Sequence, residues 1–256
     1  MIHPQAIVDS SASIADDVSI GPFSIIGADV EIDSGTVIES HVVIKGPTKI
    51  GKDNHIFQFA SIGEQPQDLK YAGEPTRLEI GDRNTIREYA NLNRGTVDDE
   101  GITSIGNDNL LMVSAHVAHD CRLGNNIILA NAVALAGHVH IDDHAILGGY
   151  TTVHQFTRIG AHSFSGFATA VDRDVLPFFT IAGNRARAFG INKEGLKRRG
   201  FSSESIRALQ SAFKILVKSK CSHKEAVEKA TELAKDHDEV RYLMDFLAAS
   251  ERGWVR

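Results

Sequence analysis

Residues 8–62 read VDSSASIADDVSIGPFSIIGADVEIDSGTVIESHVVIKGPTKIGKDNHIFQFASI, and an aliphatic side chain returns at every sixth position. Counted from just before this stretch, the slots are Ile2, Val8, Ile14, Ile20, Ile26, Ile32, Ile38, Ile44, Ile50, Ile56 and Ile62, without a miss. Such a period fits neither an α-helix nor a plain hairpin meander. It fits a short strand followed by a corner, where glycine tolerates positive φ. Three such units close one triangular coil of about eighteen residues. Strand side chains alternate, so the aliphatic residue and the one two before it point inward. No coil can bury its apolar edge alone, and stacking makes one continuous core.

The register resumes at Ile80, Ile86 and Leu92, shifts by one residue, and runs again from Ile105 through Val117, Leu123 and Leu135 to Val153 and Ile159. Glycine often follows the aliphatic residue, as at Gly21, Gly51, Gly81, Gly106 and Gly124. Residues 63–79 (GEQPQDLKYAGEPTRLE) and 93–104 (NRGTVDDEGITS) lose the pattern and read as loops expelled from the prism. Loops on a rigid scaffold often carry function. Beyond about residue 190 the period turns helical: Ser222 and Glu225 form a capping box, and Ile206, Leu209, Phe213, Leu216 and Val217 make an apolar stripe. Further helices are expected near 223–236 and 239–250. The expected organisation is an all-β parallel helix over 1–190 and a small α-helical domain over 191–256.

An apolar content of 42% and a charged content of 23% suit a globular chain with a real core. The start, MIHPQAIVDSS, shows no basic and then apolar signal, and no apolar run approaches the length of about eighteen residues needed to span a membrane. Cys121 and Cys221 lie far apart and read as reduced thiols of a cytoplasmic protein. The net charge of −6 hides a cationic island: residues 185–220 carry ten Lys/Arg and two Asp/Glu. That island invites an acidic partner or a phosphate group; nothing points to nucleic acid.

Seven of the twelve histidines lie between 116 and 162. Moving one coil up adds eighteen residues, so His119 lies beneath Gly137, which lies beneath Gln155, while Asp120 lies beneath His138. A base, a backbone N–H free of any side chain and an amide thus share one corner column. Asp120 could fix the His119 tautomer and support an imidazolium, and the Gly137 N–H could serve an oxyanion. Cys121 lies two before Leu123 and therefore points into the core. With no activated Ser or Cys, direct attack by a substrate hydroxyl is more economical than a covalent intermediate.

The segments QDLKY (67–71), IREYANLNRGT (86–96), HVAHDC (116–121), LAGHVHI (135–141), VHQF (153–156) and INKEGLKRRGF (191–201) resemble the UDP-N-acetylglucosamine 3-O-acyltransferase family over essentially the whole chain. The resemblance implies a left-handed β-helix and a homotrimer with active sites between adjacent prisms. It implies 3-hydroxyacyl transfer from acyl carrier protein to the sugar 3-hydroxyl of UDP-N-acetylglucosamine, the first step of lipid A synthesis, with no cofactor and no metal. By that match His119 is the general base, Asp120 its orienting partner and Gly137 the oxyanion donor. Gln67, Asp68 and Lys70 resemble sugar- and phosphate-side contacts, and His116, His138, His154 and Gln155 pocket residues. Asn192, Glu194, Arg198 and Arg199 resemble nucleotide-side contacts. An acidic carrier protein would give the basic island a purpose. Hexapeptide prisms also support metal-dependent hydratases of the gamma carbonic anhydrase type, for which His116, His119 and His138 would be the ligands.

The resemblance further implies an acyl chain lying along the prism between two subunits, stopped by a side chain. Phe167, in HSFSGF, stands 48 residues beyond His119. That is about 2.7 coils, or roughly 13 Å at about 4.8 Å per coil, and it holds on the order of ten carbons. A donor of about ten to twelve carbons is therefore expected.

Overall fold

Each six-residue unit becomes a strand, usually of two residues as in Ile25–Ile26 and His116–Val117, followed by a corner. The structure, a computed structural model, describes the backbone of residues 1–256 and every side chain except that of His223. The chain winds as the expected left-handed parallel β-helix. Every third strand shares a sheet, giving a first sheet of nine strands (Ile7–Val8 to Ala170–Val171), a second of eight (Ser13–Ile14 to Arg158–Ile159) and a third of ten (Ser19–Ile20 to Arg187–Ile191). Val117 pairs with Leu135 and Leu135 with Val153, the eighteen-residue step of the sequence arithmetic. Ile62 pairs with Leu92 and Ile80 with Ile105, thirty and twenty-five residues apart, so the two expelled loops add twelve and seven residues. These loops run over 65–76 and 94–101, shorter than the aliphatic pattern suggested, because Ser61–Glu64, Arg77–Ile80, Asn91–Asn93 and Ile102–Ile105 extend the ladders at both ends.

The inward pairs are those of the sequence, as in Val18 with Ile20 and Val30 with Ile32, all at most 2% exposed. Burying each such side chain contributes about 1.5–3 kcal/mol. The corners correct the reading of the glycines. The left-handed residue at a corner is usually not glycine: Asp120 (φ 59°), His138 (φ 59°) and Phe156 (φ 65°) line the corner between the first and second sheets. Glycine follows the aliphatic residue for another reason: a Cβ on Gly106 would stand 2.5 Å from the Gly124 carbonyl oxygen of the next coil. Inside the corner between the second and third sheets, buried asparagines form a ladder. Asn54 Oδ1 accepts from the Asn84 N–H at 2.9 Å, and Asn84 Oδ1 accepts from the Asn109 N–H at 2.9 Å. Asn109 Oδ1 in turn accepts from the Ile127 N–H at 2.7 Å. At the remaining corner, between the third and first sheets, Phe23, His41, Phe59 and Tyr89 stack outward with ring spacings of 5.1–5.3 Å.

The prism ends in a reversal. Phe179–Ala182 continues the third sheet, and Arg187–Ile191 returns antiparallel to it. Helices follow at Lys193–Arg198 (α1), Ser203–Phe213 (α2, continued as a π turn over Lys214–Lys218), His223–Ala234 (α3) and Asp238–Ala248 (α4). The Ser222–Glu225 capping box is formed in both directions. Short α1 was not foreseen; Gly195 at its centre weakens any periodic signal. Phe213 packs edge-on against Phe179 at 5.1 Å. Buried Asp174 fastens the C-terminus to the prism, accepting from the Arg158 N–H (2.8 Å) and the Ser250 hydroxyl (2.7 Å). Among the described residues, no helix is long and apolar enough to cross a membrane.

Candidate active site

The corner between the first and second sheets carries a linked set of polar groups. His119 is 7% exposed and Asp120 fully buried, with His119 Nδ1 2.8 Å from Asp120 Oδ2. A carboxylate at Nδ1 leaves the proton there and an unshared pair on Nε2. Asp120 is itself held from the second expelled loop: the Thr96 N–H donates to Oδ1 at 2.7 Å and the Thr96 hydroxyl to Oδ2 at 2.6 Å. Its own N–H donates to Thr103 Oγ1 at 2.8 Å. Burial pulls the Asp120 carboxyl upward, but the hydrogen bonds from His119 and Thr96 outweigh it and leave the pKa below the ordinary aspartate value. The carboxylate therefore stays charged beside the imidazole.

Gly137 is stacked over the base as the coil arithmetic required. A Cβ at that position would stand 2.5 Å from His119 Cε1 and 2.7 Å from Nε2, so only glycine leaves the ring its place. Among the described residues the Gly137 N–H donates to no acceptor. His138 meets the His119 ring edge-on at 5.3 Å, stacks on Phe156 at 4.4 Å, and places Nε2 3.5 Å from Asp120 Oδ2. Its Nδ1 faces Asp99 Oδ2 at 3.6 Å. Cys121 is buried, its thiol pushed up to about 12 by burial, which suits a core residue and not a nucleophile.

A cavity of about 520 Å³ beside this corner brings together Asp68, Lys70, His138 and Gln155. Gln67 is exposed on the same first loop. His116 stands on the strand His116–Val117 with Nδ1 2.8 Å from Asn91 Oδ1; burial, against the Asn91 bond, lowers its pKa. His154 turns Nδ1 to the Gln155 carbonyl at 3.0 Å. The remaining candidates lie elsewhere on the prism. Asn192 caps α1, accepting from the Gly195 N–H (3.1 Å) and donating to the His162 carbonyl (2.9 Å). Glu194 pairs with Lys197 at 3.1 Å, Arg198 is exposed, and Arg199 donates to the His144 carbonyl at 3.1 Å. His144 and His162 mark the corner between the second and third sheets. Phe167, 72% exposed, stands on the third corner, edge-on to Tyr150 at 5.5 Å. His119 and Phe167 thus stand on different corners of one chain.

Within one chain the three-histidine metal set does not form. Among the described residues the group with ligand atoms within 4.8 Å of one another is His119, Asp120 and His138, without His116. Asp120 is engaged by His119 Nδ1 and by Thr96, which leaves His119 Nε2 as the open atom of the pair. Sequence reasoning missed Thr96, Thr103 and Asp99. The motif around Thr96 carries no chemical signature, and its distance from Asp120 breaks the eighteen-residue step.

Two family models match: bacterial transferase hexapeptide repeats over residues 11–46, and domain 2 of UDP N-acetylglucosamine O-acyltransferase over residues 174–255. Among solved structures, the UDP-N-acetylglucosamine acyltransferase of Francisella novicida is 45% identical, with all of this chain and 94% of that one covered and a TM-score of 0.97. LpxA of Acinetobacter baumannii is 50% identical over 100% and 99% of the two chains, with a TM-score of 0.96. The Arabidopsis UDP-N-acetylglucosamine acyltransferase is 32% identical over the whole of both chains, with a TM-score of 0.89.

Proposed function

The chain belongs to the UDP-N-acetylglucosamine acyltransferase family, and from that premise we propose that it moves a 3-hydroxyacyl chain from acyl carrier protein to the 3-hydroxyl of UDP-N-acetylglucosamine, opening lipid A synthesis. The observation that carries this reading is the His119–Asp120–Thr96 relay beneath Gly137. His119 Nε2 takes the proton of the sugar 3-hydroxyl as its oxygen attacks the thioester carbonyl. The Gly137 N–H receives the oxyanion. As the C–O bond forms and the C–S bond breaks, His119 returns its proton to the departing thiolate. Asp120, held charged by Thr96, keeps the imidazole in the tautomer that can accept a proton.

The division of the candidate residues supports a homotrimer. His119 stands on one corner while Asn192, Glu194, Arg198 and Arg199 stand about another, and a neighbouring copy brings the two sets to one cleft. Exposed rings along the third corner support such an assembly, with Phe59 46%, Tyr89 58% and Phe167 72% exposed. Arg187, Lys193, Arg207, Lys214 and Lys218 are exposed cations that suit an acidic carrier protein. Two unpaired cysteines support a cytoplasmic location. The test is turnover with UDP-N-acetylglucosamine and a panel of 3-hydroxyacyl carrier proteins, before and after exhaustive chelation. Acyl transfer that survives chelation is expected; loss of turnover restored by zinc would overturn the reading.

A further inference from the structure

The cavity of about 520 Å³ beside His138 has the wrong charge for the substrate assigned to it. It is lined by the carboxylates of Asp68, Asp98, Asp99 and Glu251 against the fixed cations Lys70 and Arg158. A nucleotide diphosphate brings further negative charge, and like charges placed against one another across a binding surface repel. Two of the four carboxylates come from the tip of the second expelled loop, where Asp98 pairs with Lys70, the cation an anion would use, and Asp99 faces His138. Lys70 Nζ is 3.3 Å from Asp98 Oδ2, and His138 Nδ1 is 3.6 Å from Asp99 Oδ2. The tip is anchored from outside the cavity: Arg122, projecting from the second sheet, lies 3.1 Å from Asp99 and 3.2 Å from Glu100.

Resting on the acyltransferase reading, we infer that the Asp98–Asp99 loop tip is a built-in competitor for the diphosphate of the sugar nucleotide. Asp98 pairs with Lys70 and Asp99 faces His138, and the diphosphate must displace the tip. The tip thereby lowers affinity for the sugar nucleotide. Asp98 and Asp99 oppose its binding, without a role in proton transfer.

Asp98→Asn and Asp99→Asn test this, with dissociation constants for UDP-N-acetylglucosamine and for inorganic diphosphate measured by calorimetry and turnover measured alongside. Exposed ion pairs of this kind correspond to about two- to fivefold in an equilibrium constant. Each variant should therefore bind both probes about two- to fivefold more tightly, with KM for the sugar nucleotide falling alike and kcat within about twofold. On a Lys70→Met background, Asp98→Asn should lose most of its effect, because the cation it caps is gone. Binding that is unchanged or weakened in both single variants would overturn the inference, the latter showing that the carboxylates contact the substrate. Tighter diphosphate binding in an enzyme that never acylates UDP-N-acetylglucosamine would instead sink the acyltransferase reading and leave the loop tip as an anion competitor.

Discussion

At the scale of the residue, the site is a short relay whose members act through one another. In the proposed mechanism His119 takes the substrate proton, and Asp120, which contacts His119, and Thr96, which contacts Asp120, act only through it. His119→Ala is expected to lower kcat by about 10²–10⁴-fold, the usual range for a positioned general base, with the β-helix circular dichroism unchanged. Thr96→Val should slow turnover less and leave KM for the sugar nucleotide unaltered, since it removes a hydroxyl from Asp120 and not from the substrate. A His119→Ala enzyme with near-normal turnover would refute the mechanism. How legible this was follows from the spacing. His119, Gly137 and Gln155 could be stacked on paper because nothing interrupts the coils between them. Thr96 could not, because it sits in a loop that leaves the coil, where sequence distance no longer gives position.

Among the elements, the corners do more than turn the chain. In the asparagine ladder, Asn84 alone accepts from the Asn109 N–H and donates to Asn54 Oδ1 and to the Gly106 carbonyl. Asn84→Ala would strand the Asn109 N–H and the Gly106 carbonyl at a cost of about 1–3 kcal/mol each, while Asn54 Oδ1 keeps the backbone N–H of residue 84, so the midpoint of chemical denaturation should drop clearly while kcat holds. The sequence contains these asparagines, but a buried amide and an exposed one look alike in it. The repeat glycines were misread for a similar reason: both positive φ and close coil approach select glycine, and only the neighbouring carbonyl distinguishes them.

The junction between prism and helices adds a titration. His162 lies beneath Phe201, with ring centroids 5.0 Å apart, and its pKa is pushed down to about 4, first by burial and then by His144 and Arg199. The unfolded chain takes up a proton near the ordinary value of 6.5 that the folded chain refuses until about 4. Stability from this group is thus fully present above that ordinary value and is lost as pH falls through the window toward the lower one. Urea midpoints at neutral and at mildly acidic pH should show the loss in the wild type and a smaller one in His162→Asn.

For the whole molecule, the decisive fact is that the candidate residues are shared among three corners. The 48 residues between His119 and Phe167 are about 2.7 coils, which sets their span along the prism and puts them on different corners. In the proposed trimer, Phe167 meets the acyl chain from a neighbouring copy's side of a shared groove. Phe167→Gly should then shift donor preference toward longer 3-hydroxyacyl chains, each added methylene gaining about 0.8 kcal/mol of burial. A variant with lower stability and unchanged preference would show that Phe167 only packs between copies. A wild type that prefers donors of about fourteen carbons or more would remove it as the stop.

The stack of coils is also a parallel cross-β template of the kind that elongates by adding identical strands. Its N-terminal face leaves the strands Ile7–Val8 and Ser13–Ile14 at the edge of their sheets, with Ile7 65% exposed. A head-to-tail filament would need a matching free edge at the far end, and there the third sheet closes with the reversed strand Arg187–Ile191 under the α-helices. Reversal at one end is enough to make the particle finite, because a chain of such units requires two compatible ends. Proteolytic removal of everything beyond residue 182 would restore the second end, and the shortened protein should assemble into fibres with a meridional spacing of about 4.8 Å.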